Sequence, residues 1–362
     1  MKILLISYDH WKYDGRLREL VKVAKELGEV TYITRRSDGE EPQEKSHILY
    51  TDHGYPAFVR FCCLQARRLG KADLIFIDNR KGILPGYLAK RICGSGYVVQ
   101  DCRELYDMKS AAGIPGKIGC IMEKIFTRHS DVVIAANPFR AKIMVKMFGL
   151  KKTPLNYENI RRLEYTEAGK QRQMEEENGD FFREKRFRII STAGCDMSRT
   201  TGKLLEAMKE LGGEYELLLV GENDEEDEIL AGATIRELGL TNVKILPRMG
   251  QDHLKYFIEN CQIGFVAYHQ RNLNNKYCAS GKIFEFLYEG KPVLASTNPP
   301  LKELCEKYGI GIASDDYVSA VRKLAGDYSR WTEQVDRFIS RVHVEKNNHK
   351  LAEQIRKELK EG

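Results

Sequence analysis

The chain alternates short apolar runs with longer stretches whose apolar residues recur at helical spacing. Residues 3–7 read as a buried strand. A helix follows from Arg16, with Leu17, Leu20, Val21, Ala24 and Leu27 on one face, and residues 30–33 form the next strand. Further short strands are predicted at 74–77, 97–100 and 132–135, each separated by helix-like sequence. Repeated strand-helix-strand units of this kind favour a mostly parallel sheet with helices on both faces.

The periodicity fades between 151 and 188, where 167–188 is dense in Glu, Lys and Arg, a composition that suits a solvated connection. A second series then begins, with strands at 187–192, 215–220, 243–246, 264–267 and 292–296 and helices at 202–211, 252–260 and 281–288. Trp331, Val335, Phe338 and Val342 form a helical stripe suited to packing on the body. The expected organisation is α/β: a first domain over 1–155, a charged connection over 156–186, a second domain over 187–325, and a C-terminal helical segment over 326–362 that packs back. A length of 362 residues agrees with two domains, being more than one core usually organises.

Composition narrows the classes. With 42% hydrophobic and 30% charged residues the chain is globular, and no run approaches the roughly 18 apolar residues of a membrane span. The opening residues are too short an apolar core for a secretory signal, so a cytoplasmic protein is expected. Nine cysteines lack any C-x-x-C pair, and eight histidines lack a ligand-like cluster, so reduced thiols and no bound metal are expected. A net charge of +6 fits an ordinary surface, or attraction to nucleotide diphosphates or an anionic membrane. Nothing points to nucleic acid.

In open parallel sheets, ligands sit at the carboxyl ends of the strands. After the first strand runs Tyr8-Asp9-His10-Trp11-Lys12-Tyr13-Asp14-Gly15-Arg16, where Asp14, Gly15 and Arg16 either face a hydroxyl-rich acceptor or form a helix cap and surface turn. After 97–100 come Asp101, Arg103 and Glu104. Asp101 and Glu104 suit acceptor orientation or proton handling, although Asp101 equally suits a helix cap. In the second series Gly194 permits close backbone approach, and Arg199 suits a diphosphate or plain solvent. Gly221 is a point of ligand approach or a turn glycine. Most informative is the run from Ser280-Gly281-Lys282-Ile283 through Glu285 to Gly290 and Pro292-Val293-Leu294-Ala295. It joins an anion-suited helix start, a mobile cation, an acid one turn later, a left-handed stop and a strand.

In their order these segments resemble the glycosyltransferases of the GT-B fold, specifically the retaining family 4. Residues 280–296 are similar to that family's S-P-x-K-x-F-E-Y-x-A-x-G-K-P-V segment, Leu218-Leu219-Val220-Gly221 to its L-x-x-V-G strand end, and Gly309-Ile310-Gly311 to its G-x-G. Asp14-Gly15-Arg16-Leu17-Arg18 is similar to its D-P-R-V-R loop, and Asp101-Cys102-Arg103-Glu104-Leu105 to its D-x-H-E-L segment. The resemblance implies two Rossmann-like doubly wound domains facing across a cleft, with the acceptor side first and the nucleotide-sugar side second.

It further implies that Glu285 binds the donor's ribose hydroxyls, that Ser280, Gly281 and Lys282 surround its phosphates, that Ile283 belongs to the same donor site, and that Arg199 meets the diphosphate. Asn275 is expected to line the sugar pocket, and Pro247 and Arg248 to lie near the base. Three positions depart from the pattern: Tyr277 stands where many relatives carry a first acid, Cys195 where an arginine is common, and Arg103 where histidine is common. The implied activity is sugar transfer from a nucleotide-sugar to a glycan or lipid-linked acceptor with retention at C1, without cofactor or metal, in surface polysaccharide or glycoconjugate synthesis. Its place is the cytoplasm, with room for peripheral contact at the inner membrane face. A nucleotide-sugar epimerase on the same scaffold and a catalytically silent binding or scaffold protein are the alternatives.

Overall fold

The computed structural model describes residues 1–12, 14–51, 54–222 and 224–361. Tyr13, in the first loop read above, lies outside the described residues. The chain divides into two compact units, Met1–Asn159 with Val344–Gly362, and Ile160–His343. The first holds β1 (Lys2–His10), β2 (Glu29–Arg35), β3 (His47–Tyr50), β4 (Leu74–Asp78), β5 (Tyr97–Cys102), β6 (Val132–Ala135) and β7 (Leu155–Asn156). They form one parallel sheet in the order β3-β2-β1-β4-β5-β6-β7.

Alternation along the central strands serves two cores at once. Ile3 and Leu5 of β1 join Leu74 and Phe76 of β4 in one cluster, while Leu4 and Ile6 join Ile75 and Ile77 in the other. Both faces of a parallel sheet must be covered, so these strands read as unbroken apolar runs. The helix Gly15–Leu27 covers one face through Leu17, Leu20, Val21, Ala24 and Leu27. The last helix, Val344–Glu361, returns to the same face and adds Leu351, Ala352, Ile355 and Leu359.

The second unit repeats the plan with β8 (Phe187–Ser191), β9 (Tyr215–Val220), β10 (Val243–Leu246), β11 (Ile263–Val266), β12 (Val293–Ala295) and β13 (Gly311–Ala313). Its parallel order is β10-β9-β8-β11-β12-β13. Each unit is thus Rossmann-like, with a topological switch beside its first strand. The charge-rich stretch belongs to this unit: it forms the helix Lys170–Asn178, which packs on the helix Gln251–Glu259 and buries Met174. The stripe of Val335 and Phe338 lies on the helix Tyr328–Ile339, also in this unit, where Val335 is fully buried and Phe338 packs on Tyr308. Among the described residues no helix is long and apolar enough to cross a membrane.

One contact seats the short helix Lys282–Tyr288 on its sheet. Phe286 is fully buried against β11, and a Cβ at Gly264 would collide with its ring. Glycine is therefore required on β11 for that helix to lie flush. Gly264→Ala is expected to cost about 1–3 kcal/mol through overpacking, read as a lower midpoint in urea unfolding with the slope unchanged.

Candidate functional site

The second unit gathers its charged residues at the carboxyl ends of β8, β9 and β11. The loops are laced together by backbone: Gly194 N donates to Val220 O at 2.9 Å, and Gly221 N to Leu246 O at 3.3 Å. The space over Gly221 is taken by the Gly194 backbone, which a Cβ would strike, so this glycine serves loop against loop. Cys195 is buried beneath, its thiol pushed up to about 11 by burial, and it supplies no positive charge.

Lys282 Nζ donates to the carbonyl of Thr192, just after β8. Desolvation pulls its ammonium down to about 8, opposed by the nearby Glu285 and reinforced by Arg199 and Arg161. A lysine in that state is still mostly charged at neutral pH, and an arriving anion favours the charged form further. Glu285 is buried, and Arg161 Nε lies 3.5 Å from its Oε1. The Arg161 guanidinium covers Gly281, where a Cβ would collide with it. Its Nε and the Thr192 hydroxyl are buried without a hydrogen-bond partner. Arg199 pairs with Asp196 at 2.7 Å and lies over the Tyr268 ring at 4.9 Å, and the buried Ser280 sits beside the same tyrosine.

Thus Gly194, Arg199, Ser280, Gly281, Lys282 and Glu285 come together, with Ile283 buried in the core behind them. Arg161, Thr192 and Tyr268 join them although the sequence reading did not single them out. Asn275 lies to one side in the helix Leu273–Lys276, its amide 3.0 Å from His269 Nε2. Pro247 and Arg248 follow β10, where Arg248 pairs with Glu222 at 2.9 Å on the surface. Tyr277 caps the end of the helix Leu273–Lys276.

The first unit carries a contrasting, carboxylate-rich cluster at the switch between β1 and β4. Asp14 caps the helix Gly15–Leu27, accepting from Leu17 N at 3.0 Å. Arg16 forks onto Asp101 through Nε at 2.8 Å and Nη2 at 2.7 Å, and donates to Tyr157 O at 3.0 Å. Both side chains are buried, so Asp101 and Arg16 act here as a positioning pair that ties the first loop to the end of β5. Arg103 reaches Asp14 and Asp9 through its two terminal nitrogens and lies 3.7 Å from Asp78. Three carboxylates hold it firmly charged. Glu104 instead sets its field on Tyr106 and Glu123.

Asp78, the last residue of β4, is fully buried. Ser7 Oγ donates to its Oδ2 at 2.7 Å, while Oδ1 has no hydrogen-bond partner. Burial raises its carboxyl to about 7, against the pull of Arg103 and with help from Asp9, Asp14 and Asp101. A buried acid at the switch point, poised near neutrality, has the properties of a group that accepts or returns a proton. The mark it left in sequence is an acid ending an otherwise apolar strand, Leu74-Ile75-Phe76-Ile77-Asp78. Among the described residues no group of three or more His, Cys, Asp or Glu is placed to hold a metal ion.

No protein-family model matches the chain, and no curated protein matches it. Solved structures do. HepE of Anabaena in complex with UDP-glucose is 16% identical with a TM-score of 0.74, covering 99% of this chain and 100% of that one. A glycosyltransferase from Rickettsia africae is 14% identical with a TM-score of 0.72, covering 100% and 99%. A UDP-N-acetylglucosamine 2-epimerase, so described without proof of activity, from Listeria monocytogenes is 11% identical with a TM-score of 0.62, covering 100% and 97%. At these identities the likeness is one of fold: the chain has the GT-B fold of two Rossmann-like units, as expected from its sequence.

The raised carboxyl of Asp78 has a measurable sign. Native protein holds its proton up to about pH 7, whereas the unfolded chain releases it near 3.9, so this group's contribution to stability is complete below the lower value and lost as pH rises through the upper one. Asp78→Asn should therefore gain up to about 4 kcal/mol relative to wild type at pH 8 and almost nothing at pH 4, measured by urea unfolding across that range.

Proposed function

We propose that the chain is a glycosyltransferase that moves a sugar from a nucleotide-sugar to a hydroxyl of a glycan or lipid-linked acceptor. The observation that carries this is the second unit's cluster of cations, with Arg161 over Gly281, Arg161 and Arg199 near Lys282, and buried Glu285 in the same turn. A departing nucleoside diphosphate needs its growing charge neutralised, and preorganised donors of this kind are worth about 3–4 kcal/mol each. Lys282 and the two arginines supply them, so the reaction proceeds without a metal. Glu285 takes the ribose hydroxyls, a role in which the ribose displaces Arg161 from the carboxylate. Released from Glu285, that guanidinium is free to fork onto the phosphates.

In this reading the first unit serves the acceptor. Asp78 lies at its sheet's switch point beside Arg103, Asp9 and Asp14, where a hydroxyl proton can be received. Retention at C1, membership of family 4, a cytoplasmic site of action and a role in surface polysaccharide or glycoconjugate synthesis complete the proposal, and rest on the sequence resemblance. HepE binds UDP-glucose, which makes that sugar nucleotide the first donor to try. The fold shared with the Listeria epimerase keeps one rival in play, an enzyme that would release UDP without needing an acceptor.

Nucleotide release is the decisive measurement. A panel of UDP-, GDP- and other activated sugars, with and without lipid-linked acceptors, should give release that depends on acceptor. Release that ignores acceptor would favour the epimerase, and none at all a silent binding protein. In calorimetry with the productive donor, Glu285→Ala should weaken binding by at least about tenfold, the order of a charged hydrogen bond lost. Unchanged affinity would remove Glu285 from the donor site.

Lys282 adds a pH signature. Its free form loses its proton near pH 8, and a diphosphate favours the charged form, so binding takes up protons around that pH. UDP affinity should be full below about pH 7 and decline through about pH 9, by up to tenfold per unit. In Lys282→Met, calorimetry in buffers of different ionisation enthalpy should show neither proton uptake nor the slope.

A further inference from the structure

The helix Gly113–Thr127 of the first unit is amphipathic in the reverse sense. Its inward residues are Cys120, Glu123 and Thr127, while Ile114, Ile118, Ile121 and Ile125 are 75%, 51%, 49% and 48% exposed. Spaced four, three and four residues apart, these isoleucines share one face, and they run for about 16 Å along the axis. Met108 extends the patch in the preceding loop. Of the ten exposed large hydrophobic side chains among the described residues, five lie in this one segment. Single exposed hydrophobics need no explanation, but a continuous row of them marks a contact surface.

The inner face shows why the row points outward. Glu123 is buried beside Arg80, which also donates to Cys120 Sγ at 3.5 Å. Tyr87 donates to Phe126 O at 2.7 Å and packs against its ring. These polar anchors fix the rotation of the helix on its neighbours, the helix Ile83–Cys93 and the turns Arg80–Gly82 and Val145–Gly149. With Glu123 held inward, the isoleucines can only face away.

The exposed charge on the helix itself has one sign, with Asp107 and Asp131 lying in the flanking loops. Between residues 108 and 130 the exposed charged side chains are Lys109, Lys117, Lys124 and Arg128, and the sole acid, Glu123, is buried. Lys117 and Lys124 border the isoleucine row along one edge. Smooth aliphatic side chains flanked by lysines, whose stems lie along apolar surface while their ammonium groups stay wet, are the composition of an interfacial helix.

We propose that this helix docks the first unit on an anionic lipid surface, its isoleucines entering the headgroup and acyl boundary and Lys117 and Lys124 meeting lipid phosphates. A second copy of the chain fits less well, since the row's border would bring only cations against cations. A protein partner would be expected to meet aromatic or arginine anchors, the residues that dominate such contacts, whereas the exposed row is isoleucine throughout. The inference stands on the first unit alone and does not depend on the donor assignment.

The test is sedimentation of the full chain with vesicles of phosphatidylcholine alone and with about 30% phosphatidylglycerol. Wild type should bind the anionic vesicles and be released by salt. Ile118→Ser with Ile125→Ser should weaken partitioning at least about tenfold, and Lys117→Gln with Lys124→Gln roughly twentyfold or more. All four positions are exposed, so unfolding midpoints should match wild type. UDP binding, read in parallel, should be unchanged in both variants whether or not the donor proposal holds. Failure of wild type to bind, equal binding to neutral vesicles, or equal binding by the variants would overturn the lipid assignment. So would a concentration-dependent dimer that disappears in the isoleucine variant, which would make this face a self-association surface.

Discussion

Both sheets are parallel and covered on two faces, and that constraint governs where charge can go. A charged side chain cannot leave either face without entering a core, so it must sit at a strand end or bring its counter-charge with it. Arg188 of β8 takes the second course, lying buried against Glu216 of the neighbouring β9 at 2.7 Å. Arg16 and Asp101 do the same at the end of β5, and their forked geometry fixes the first loop to the sheet. Arg103 follows the first course, meeting Asp9 and Asp14 just beyond the strand ends.

The two ends so formed differ in balance. In the first unit, Asp9, Asp14, Asp78 and Asp101 surround Arg16 and Arg103, and this excess of carboxylate adds to the burial that drives Asp78 towards its neutral form. In the second, Arg161, Arg199 and Lys282 exceed Glu285 and Asp196, and burial, reinforced by the two arginines, pulls the lysine towards neutrality. An excess of acid suits hydroxyl and proton, and an excess of base suits phosphate. The two units share a topology yet present opposite chemistry at the same topological place.

How far the sequence revealed this depends on distance along the chain. The Lys282–Tyr288 helix, its Glu285 and the left-handed stop at Gly290 were legible because spacing within one segment encodes them. The central strands were legible as apolar runs, whereas β7, at two residues, carries too little pattern to read, and β3 opens on a histidine rather than an apolar run. Arg161 opens a charge-rich stretch that resembles plain solvated sequence, and only the fold brings it to Gly281, 120 positions later in the chain. Asp101 was read as facing an acceptor or capping a helix. Its actual partner, Arg16, is 85 residues away, beyond any local signal.

The helix Gly113–Thr127 shows a different limit. Isoleucines at 114, 118, 121 and 125 have the spacing of a core-facing stripe, and periodicity alone would turn them inward. Periodicity identifies which residues share a face but not what that face meets. Direction is decided by the residues opposite the stripe, and here Glu123, Cys120 and the backbone at Phe126 find Arg80 and Tyr87 waiting at the body of the unit. Turning the helix over would bury four isoleucines but would also expose those anchors and leave Arg80 facing an apolar row. Arg80, half-buried and stacked on Tyr106, would lose its contacts with Glu123 and Cys120, which offsets part of what that burial would gain. The outward stripe is therefore held in place by polar contacts on the far side of its own helix.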